Sequence, residues 1–371
     1  MFHTILLAAW TVFHLYLFWR ASSLPIVKRN ISRLSLFIIT VALWATYFLP
    51  GIADDIGLTV LSRPIELFTM NWLGTIFLIF TCLFIVDLVT LFGLLFRRHL
   101  TTLRSTAFAA GILLSIFALY QGFRAPVVRD YEVHLAQLPP QYDGLTLAVV
   151  SDLHVGDFLD QKWLEERIEQ VNALRADGVI LLGDIFEGDS PGERKKSMMH
   201  LIRGISAPLG VWGVTGNHES HGGLDSTVWF LEEAGVHMLR NQWSELEPGL
   251  ILAGIDDGHD HGAVPDSTGR IGRALSGRPD SCATIFLSHR PRYAEFVASN
   301  GVGLMLSGHT HGGQLWFWPF SYFTGLANPL FAGECIVDGM PVIVSRGAGT
   351  WGPRMRLWYP GEILRIVLRS K

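Results

Sequence analysis

Two patterns of apolar and polar positions meet near Arg124. Before it, long apolar runs are broken by short charged connections; after it, short apolar runs alternate with amphipathic stretches. A bilayer core needs roughly 20 mostly apolar residues in a helix. Four runs meet or approach that length, at about 2–19, 34–49, 72–96 and 106–123, and predict an all-α transmembrane bundle of four helices over residues 1–124. The first run has neither a basic start nor a clear small-residue cleavage site, so it reads as an uncleaved span rather than a signal peptide. Asp87 lies inside the third run, where a carboxylate is either neutralised by protonation or a partner, or kept for a function.

The connections carry an orientation. The first holds Arg20, Lys28, Arg29 and Arg33, and the third holds Arg97, Arg98 and Arg104. The second has Arg63 as its one basic residue, beside Asp54, Asp55 and Glu66. Basic loops stay on the cytoplasmic side. The expectation is a multi-pass protein of the inner (cytoplasmic) membrane with both termini, and so the C-terminal region, extracytoplasmic.

In the second part, buried strands are predicted at 145–150, 179–182, 211–214, 251–255, 284–287 and 304–306, and a hairpin over 336–345 turning at Asp338-Gly339. A helix over 160–176 would place Trp163, Leu164, Ile168, Val171 and Leu174 on one face, and another is expected over 226–234. Strands mixed with helices imply an α/β layered domain, and by periodicity alone a doubly wound sheet. Polar residues cluster at the C-terminal ends of the strands, the edge where α/β sheets bind ligands.

Composition changes this picture little. Hydrophobic content of 49% and mean hydropathy of +0.33 agree with a membrane part. A net charge of −4 without a long basic run argues against nucleic acid as a partner. Cys82, Cys282 and Cys335 form no CxxC pair; Cys282 and Cys335 are either two buried thiols or, in an oxidising compartment, a bridge.

The strand ends supply Asp152, His154, Asp184, Asn217, His289, His309 and His311. Imidazole and carboxylate together suit first-row transition metals, and seven side chains exceed the needs of one ion. They suit two metals sharing a bridging carboxylate, a device that binds phosphate oxygens and activates water. In Asp152-x-His154 and His309-x-His311, an extended backbone would turn both side chains to one face. His218, next to Asn217, is placed to donate a proton to a leaving oxygen.

The ordered series Asp152-Leu-His154, Gly183-Asp184, Gly216-Asn217-His218-Glu219, Ser288-His289 and Gly308-His309-Thr-His311 resembles the calcineurin-like metallophosphoesterase superfamily over 131–371. The extensions Gly312-Gly313-Gln314 and Ser345-Arg346-Gly347-Ala348-Gly349-Thr350 look like its bacterial membrane-associated phosphodiesterase subgroup, some members of which hydrolyse a UDP-diacylglucosamine lipid precursor. The resemblance implies a four-layer β-sandwich flanked by helices in place of the doubly wound sheet. It implies one metal on Asp152, His154 and His311, a second on Asn217, His289 and His309, Asp184 bridging, and His218 as general acid or phosphate contact. Where the family often has a second Asp after Gly-Asp-x-x, this chain has Glu187, with Asp189 two residues on, so either carboxylate is a candidate to orient His218.

Arg290 and Arg346 are candidate phosphate contacts or structural ion pairs. His221, His259 and His261 read as loop residues. The run Trp316, Phe317, Trp318, Phe320, Tyr322 and Phe323 is either core or a greasy lip beside the metals. The expected function is a membrane-anchored phosphodiesterase using two divalent ions (Mn, Fe or Zn, with Mn favoured) on a diester or pyrophosphate that is lipid-linked or part of the cell envelope. The alternatives are a phosphomonoesterase or nucleotidase on soluble metabolites, and a non-catalytic membrane scaffold with a structural metal site.

Overall fold

A computed structural model of the chain describes residues 2–156, 158–187, 192–220, 223–257, 267–315 and 330–371. They form two compact units, Met1–Phe123 with Gly352–Leu357, and Arg124–Trp351 with Trp358–Lys371.

The first unit is helical: α1 (Phe2–Ala21), α2 (Pro25–Asn30), α3 (Arg33–Ala45), α4 (Leu49–Asp55), α5 (Thr59–Val89) and α6 (Leu100–Phe123). Three helices are long and apolar enough to cross a membrane, and four if the bent pair α3 and α4 counts as one span. That pair bends by 57° where Pro50 opens α4. Proline lacks an amide hydrogen and disfavours helix before it, so the continuous span expected over 34–49 is broken. The third span also moves: α5 starts at Thr59, thirteen residues early, and stops at Val89 rather than 96. Beyond it Leu91, Phe92 and Phe96 take positive φ. Their apolarity hid a chain reversal, because hydropathy does not distinguish helix from a greasy turn.

Asp87 is fully buried and paired. Its carboxylate accepts from Arg20 Nε of α1 at 2.6 Å, from Arg104 Nη2 of α6 at 2.9 Å, and from the Tyr16 hydroxyl. One carboxylate thus ties three helices. The segment Gly352–Leu357, expected within the second domain, belongs to this unit because its backbone finds partners there. Arg354 N–H donates to Asn71 Oδ1 (2.8 Å) and Arg356 N–H to the Ala118 carbonyl (2.9 Å).

The second unit contains β1 (Val127–Leu135), β2 (Thr146–Val150), α7 (Gln161–Ala173), β3 (Gly178–Leu182), α8 (Gly192–Ile202), β4 (Val211–Val214), α9 (Leu224–Glu233), β5 (Val236–Met238), β6 (Gln242–Glu247) and β7 (Leu250–Gly254). It continues through α10 (Ser267–Leu275), β8 (Ala283–Leu287), α11 (Ala294–Ser299), β9 (Leu304–Ser307), β10 (Gly333–Val337), β11 (Met340–Val344) and β12 (Glu362–Ser370). The strands make two six-stranded sheets, ordered β1-β12-β2-β3-β4-β5 and β10-β11-β9-β8-β7-β6. β2 to β5 run parallel, as do β7, β8, β9 and β11.

Side-chain alternation builds the layers. Ile180 and Leu182 of β3 meet Leu252, Ile285 and Leu306 in the core between the sheets. Val179 and Leu181 face away and pack with Trp163, Leu164 and Ile168 of α7. Ala253 and Phe286 of the second sheet pack outward with Ile271 and Val297 of α10 and α11. The result is helix, sheet, sheet, helix, a metallophosphoesterase-type sandwich and not a single doubly wound sheet. Asp160 caps α7 by accepting from Trp163 N–H, and the expected hairpin forms between β10 and β11, with Asp338 and Gly339 both at positive φ, the signature of a tight two-residue turn.

Candidate metal centre

The ligand candidates sit in the loops just past the strands. β2 ends at Val150 and β9 at Ser307. Asp152, His154, Asp184, His309 and His311 all have positive φ, between 46° and 72°. The extended geometry expected for the two x-spaced pairs is therefore wrong: left-handed turns, not strand alternation, aim these side chains. Non-glycine residues enter this region at a cost, and such strain concentrates at functional sites. Close backbone approach helps to hold it. A Cβ on Gly216 would strike the Asp184 carboxylate, and one on Gly308 would lie 2.6 Å from Asp152 Oδ2.

The turns gather the side chains into three groups with ligand atoms close enough to share an ion: Asp152, His154 and His311; Asp184, His289 and His309; and His154, Glu187 and His218. Asp184 lies between the first two. Its Oδ2 is 3.0 Å from His289 Nε2 and 3.7 Å from His154 Nε2. His154 Nε2 is 3.1 Å from His311 Nε2, and His309 Nδ1 is 3.3 Å from His289 Nε2. His309 and His311, two residues apart, thus serve different groups.

Neighbouring groups fix which ring nitrogens face the centre. His289 Nδ1–H donates to the Leu182 carbonyl at 2.7 Å, leaving Nε2 toward Asp184. His154 Nδ1–H donates to Glu187 Oε2 at 2.5 Å, leaving Nε2 toward His311 and Asp184. Such partners orient ligand histidines. Glu187 also lies 3.2 Å from His218 Nδ1, so of the two carboxylates considered for orienting that ring it is the one described there; Asp189 lies outside the described residues. Asn217 Oδ1 is buried without a hydrogen-bond partner. A buried acceptor with no donor is what a cation-binding oxygen looks like before the cation arrives, since a buried unpaired carbonyl is otherwise costly. The donor set therefore fits divalent metals.

Charges in the metal-free centre are tightly opposed. Burial works against charge on His289, but the Asp184 carboxylate pushes its pKa up to about 10. Asp184 is held well below the carboxylate range by His289 despite burial. Burial and the His289 charge hold His309 down at about 3. For Glu187, hydrogen bonds from His154 and His218 outweigh burial and hold it at about 2. Burial would lower His218, yet its Glu187 hydrogen bond and the Asp184 charge leave its pKa raised.

Glu219, which the motif alone leaves without a role, is a fastener of the site. Its buried carboxylate accepts from Asp184, Ile185 and Gly216 N–H at 2.6–2.8 Å and from Phe186 N–H at 3.3 Å, fastening the two ligand loops together. Its place directly after Asn217-His218 was the available signal. Arg290 and Arg346 are both engaged by carboxylates: Arg290 Nε lies 3.0 Å from Asp257 Oδ2, and Arg346 Nη1 lies 2.7 Å from Glu362 Oε2. Cys82, Cys282 and Cys335 are free thiols. His221, His259, His261 and the aromatic run from Trp316 to Phe323 lie outside the described residues.

Two facing sheets with histidine and carboxylate groups on their loops define the metallophosphoesterase class. The sequence comparisons agree. The profile of the calcineurin-like phosphoesterase family matches residues 145–313. A transmembrane protein with metallophosphoesterase domain from Danio rerio is 31% identical over 287 residues, 74% of this chain and 63% of that protein. An uncharacterized metallophosphoesterase from Campylobacter jejuni is 30% identical over 269 residues, 70% of this chain and 69% of its own length. The crystal structure of a dimetal phosphatase from Danio rerio is 14% identical with a TM-score of 0.41, covering 61% of this chain and 93% of that one. The chain spans about two thirds of the length of the curated relatives it matches. It belongs to the calcineurin-like metallophosphoesterase family, whose fold implies a dinuclear divalent metal site.

Proposed function

We propose that this protein is a membrane-anchored phosphodiesterase that hydrolyses a lipid-linked or cell-envelope phosphodiester or pyrophosphate. The observation that carries the reading is Asp184, whose one oxygen lies within 3.0 Å of His289 and 3.7 Å of His154 and so between two donor groups. Asp152, His154 and His311 would hold one metal, and Asn217, His289 and His309 the other, with Asp184 shared. Manganese is favoured, and iron or zinc also suit the donors. When bound, two divalent ions offset phosphate charge and supply an activated water.

The chain's own residues do the rest. Glu187 orients His218 through Nδ1, leaving Nε2 to give its proton to the departing oxygen. Glu219 keeps the Asp184 and Asn217 loops in register. Arg290 contacts a phosphate oxygen beside the second group, while the Arg346 pair with Glu362 serves the fold. The lipid-linked class rests on the apolar helices that confine the site to a membrane. The basic connections favour an extracytoplasmic site, which makes an envelope lipid or wall polymer a better substrate than a nucleotide-linked lipid. A reporter fused after Lys371 that is active only in the cytoplasm would invert that orientation.

The first test is hydrolysis of bis(4-nitrophenyl) phosphate and 4-nitrophenyl phosphate by purified protein with manganese. Metal-dependent turnover of the diester above the monoester is expected. Preference for the monoester would favour a phosphomonoesterase on soluble metabolites, and no turnover of either by folded, metal-loaded protein would favour a scaffold.

A further inference from the structure

Beyond the last strand of the second sheet the chain passes the loop 345–350 and presents Trp351 beside the catalytic candidate. The indole is 44% exposed, and its ring centre lies 6.4 Å from that of His218, inclined at 67°. Much of its ring is therefore open to solvent beside the proposed proton donor, where an aromatic face can meet a bound group.

The backbone under the indole is clamped. Gln314 Nε2–H donates to the Trp351 carbonyl at 2.9 Å, and Trp351 N–H donates to Gln314 Oε1 at 3.1 Å. One side-chain amide thus satisfies both polar groups of one residue, as a strand partner would. Gln314 is itself buried and takes a positive φ of 43° three residues after His311. A strained, buried glutamine committed to an exposed residue gives that residue a fixed place relative to the histidine cluster. Preorganised aromatic surfaces bind flat or apolar groups with small entropic cost.

We propose that Trp351 is a specificity-determining residue whose indole receives the group attached to the leaving oxygen, so that the site prefers phosphoesters leaving as a flat aromatic or apolar body over those leaving as a small alcohol. The inference rests on the proposed role of His218 as proton donor. A proton donor faces the leaving oxygen, so whatever hangs from that oxygen extends past the His218 ring. Among the described residues the rings beside His218 are those of His154, at 4.7 Å, and Trp351. His154 is turned toward Glu187 and His311, so of these two described rings the indole is the one placed to meet the leaving group.

The test uses the full chain in detergent micelles with manganese, as wild type, Trp351→Ala and Trp351→Phe. Two diesters share a methyl group and differ in the leaving group: methyl 4-nitrophenyl phosphate, followed by colour, and methyl 2,2,2-trifluoroethyl phosphate, followed by fluorine NMR. Each variant is compared with wild type on the same substrate, which cancels intrinsic reactivity. Trp351→Ala is expected to lower kcat/KM for the nitrophenyl diester about tenfold, chiefly through KM, and to leave the trifluoroethyl diester within about twofold. Trp351→Phe should recover most of the loss. Equal loss on both diesters, a fall in kcat alone, or no loss on the nitrophenyl diester overturns the proposal while leaving the hydrolase reading intact. Inactivity of wild type on both removes that reading, and this inference with it.

Discussion

Two buried aspartates, one in each unit, show how partners decide what a carboxylate is for. Asp87 is enclosed among α1, α5 and α6 and meets two arginines and a tyrosine hydroxyl. Asp184 is enclosed in the loops of the sandwich and meets histidines and backbone amides. Arginine stays charged at any working pH and ligates no metal, so Asp87 is locked into one pairing that ties helices. Histidine can lose its proton and offer a lone pair, so the contacts of Asp184 can be exchanged for cations. Equal burial therefore gives a fixed pin in one unit and a replaceable ion pair in the other.

The largest test of that contrast is removal of each carboxylate. Asp184→Ala is expected to reduce turnover of bis(4-nitrophenyl) phosphate by at least about a thousandfold, because it removes the proposed bridging ligand, and to lower melting of the metal-free protein less than Asp87→Ala does, because His289 can shed its proton when its partner goes. Asp87→Ala should do the reverse. It strands two buried arginines, a loss of about 3–5 kcal/mol, seen as a lower melting temperature in detergent, while the protein that remains folded keeps its kcat. If Asp87→Ala abolished activity in folded protein, the pin would have a catalytic role and the comparison would fail.

Metal removal separates the units next. Chelation should erase activity and lower the melting temperature, and manganese should restore both. The same treatment of Asp184→Ala is expected to produce a much smaller shift. An equal shift would place the stabilising ion elsewhere.

A smaller effect concerns Glu187 and His218. Glu187 contributes to raising the His218 pKa, and the acid must be protonated to act. Activity should fall as pH rises through that raised pKa. Glu187→Gln removes the carboxylate charge, so the alkaline limb should move to lower pH, with a loss of about 10–100-fold in rate from the disturbed His154 and His218 rings. An unmoved limb would show that another group titrates there. In the metal-free protein Glu187 itself stabilises the fold above its unfolded pKa, because its folded pKa of about 2 is depressed, and that contribution is lost as pH falls through the window down to about 2. The smallest expected change is Cys282→Ser, which should leave activity and reductant sensitivity as they are, since the thiol is free.

The chain determined by itself what is local. Each motif follows an apolar run that stops abruptly at polar residues, so the expected strands at 179–182, 211–214 and 284–287 fall within β3, β4 and β8, and Asp184, Asn217 and His289 follow directly. The apolar runs before Arg124 likewise declared helices, three of them long and apolar enough to cross a membrane. The arrangement of the strands was not legible. Strands buried on both faces carry the same residues whichever sheet they join, so periodicity could not separate one doubly wound sheet from two facing sheets. β1 and β12, more than 220 residues apart in the chain, pair only through long-range register. Helix ends at Val89 and the break at Pro50 depended on turns that hydropathy does not see.

At the site, residue identity was legible and geometry was not. Left-handed backbone at Asp152, His154, His309 and His311 replaces the extended spacing that the x-pairs suggested, because the chain must turn sharply off the strand ends to bring five loops together. Only the folded chain could give Asp87 its arginines, Glu219 its four amides and Trp351 its glutamine clamp. These contacts join positions 17 to 67 residues apart, Gly216 being the one near neighbour, and no local pattern encodes a partner that only tertiary packing brings within reach.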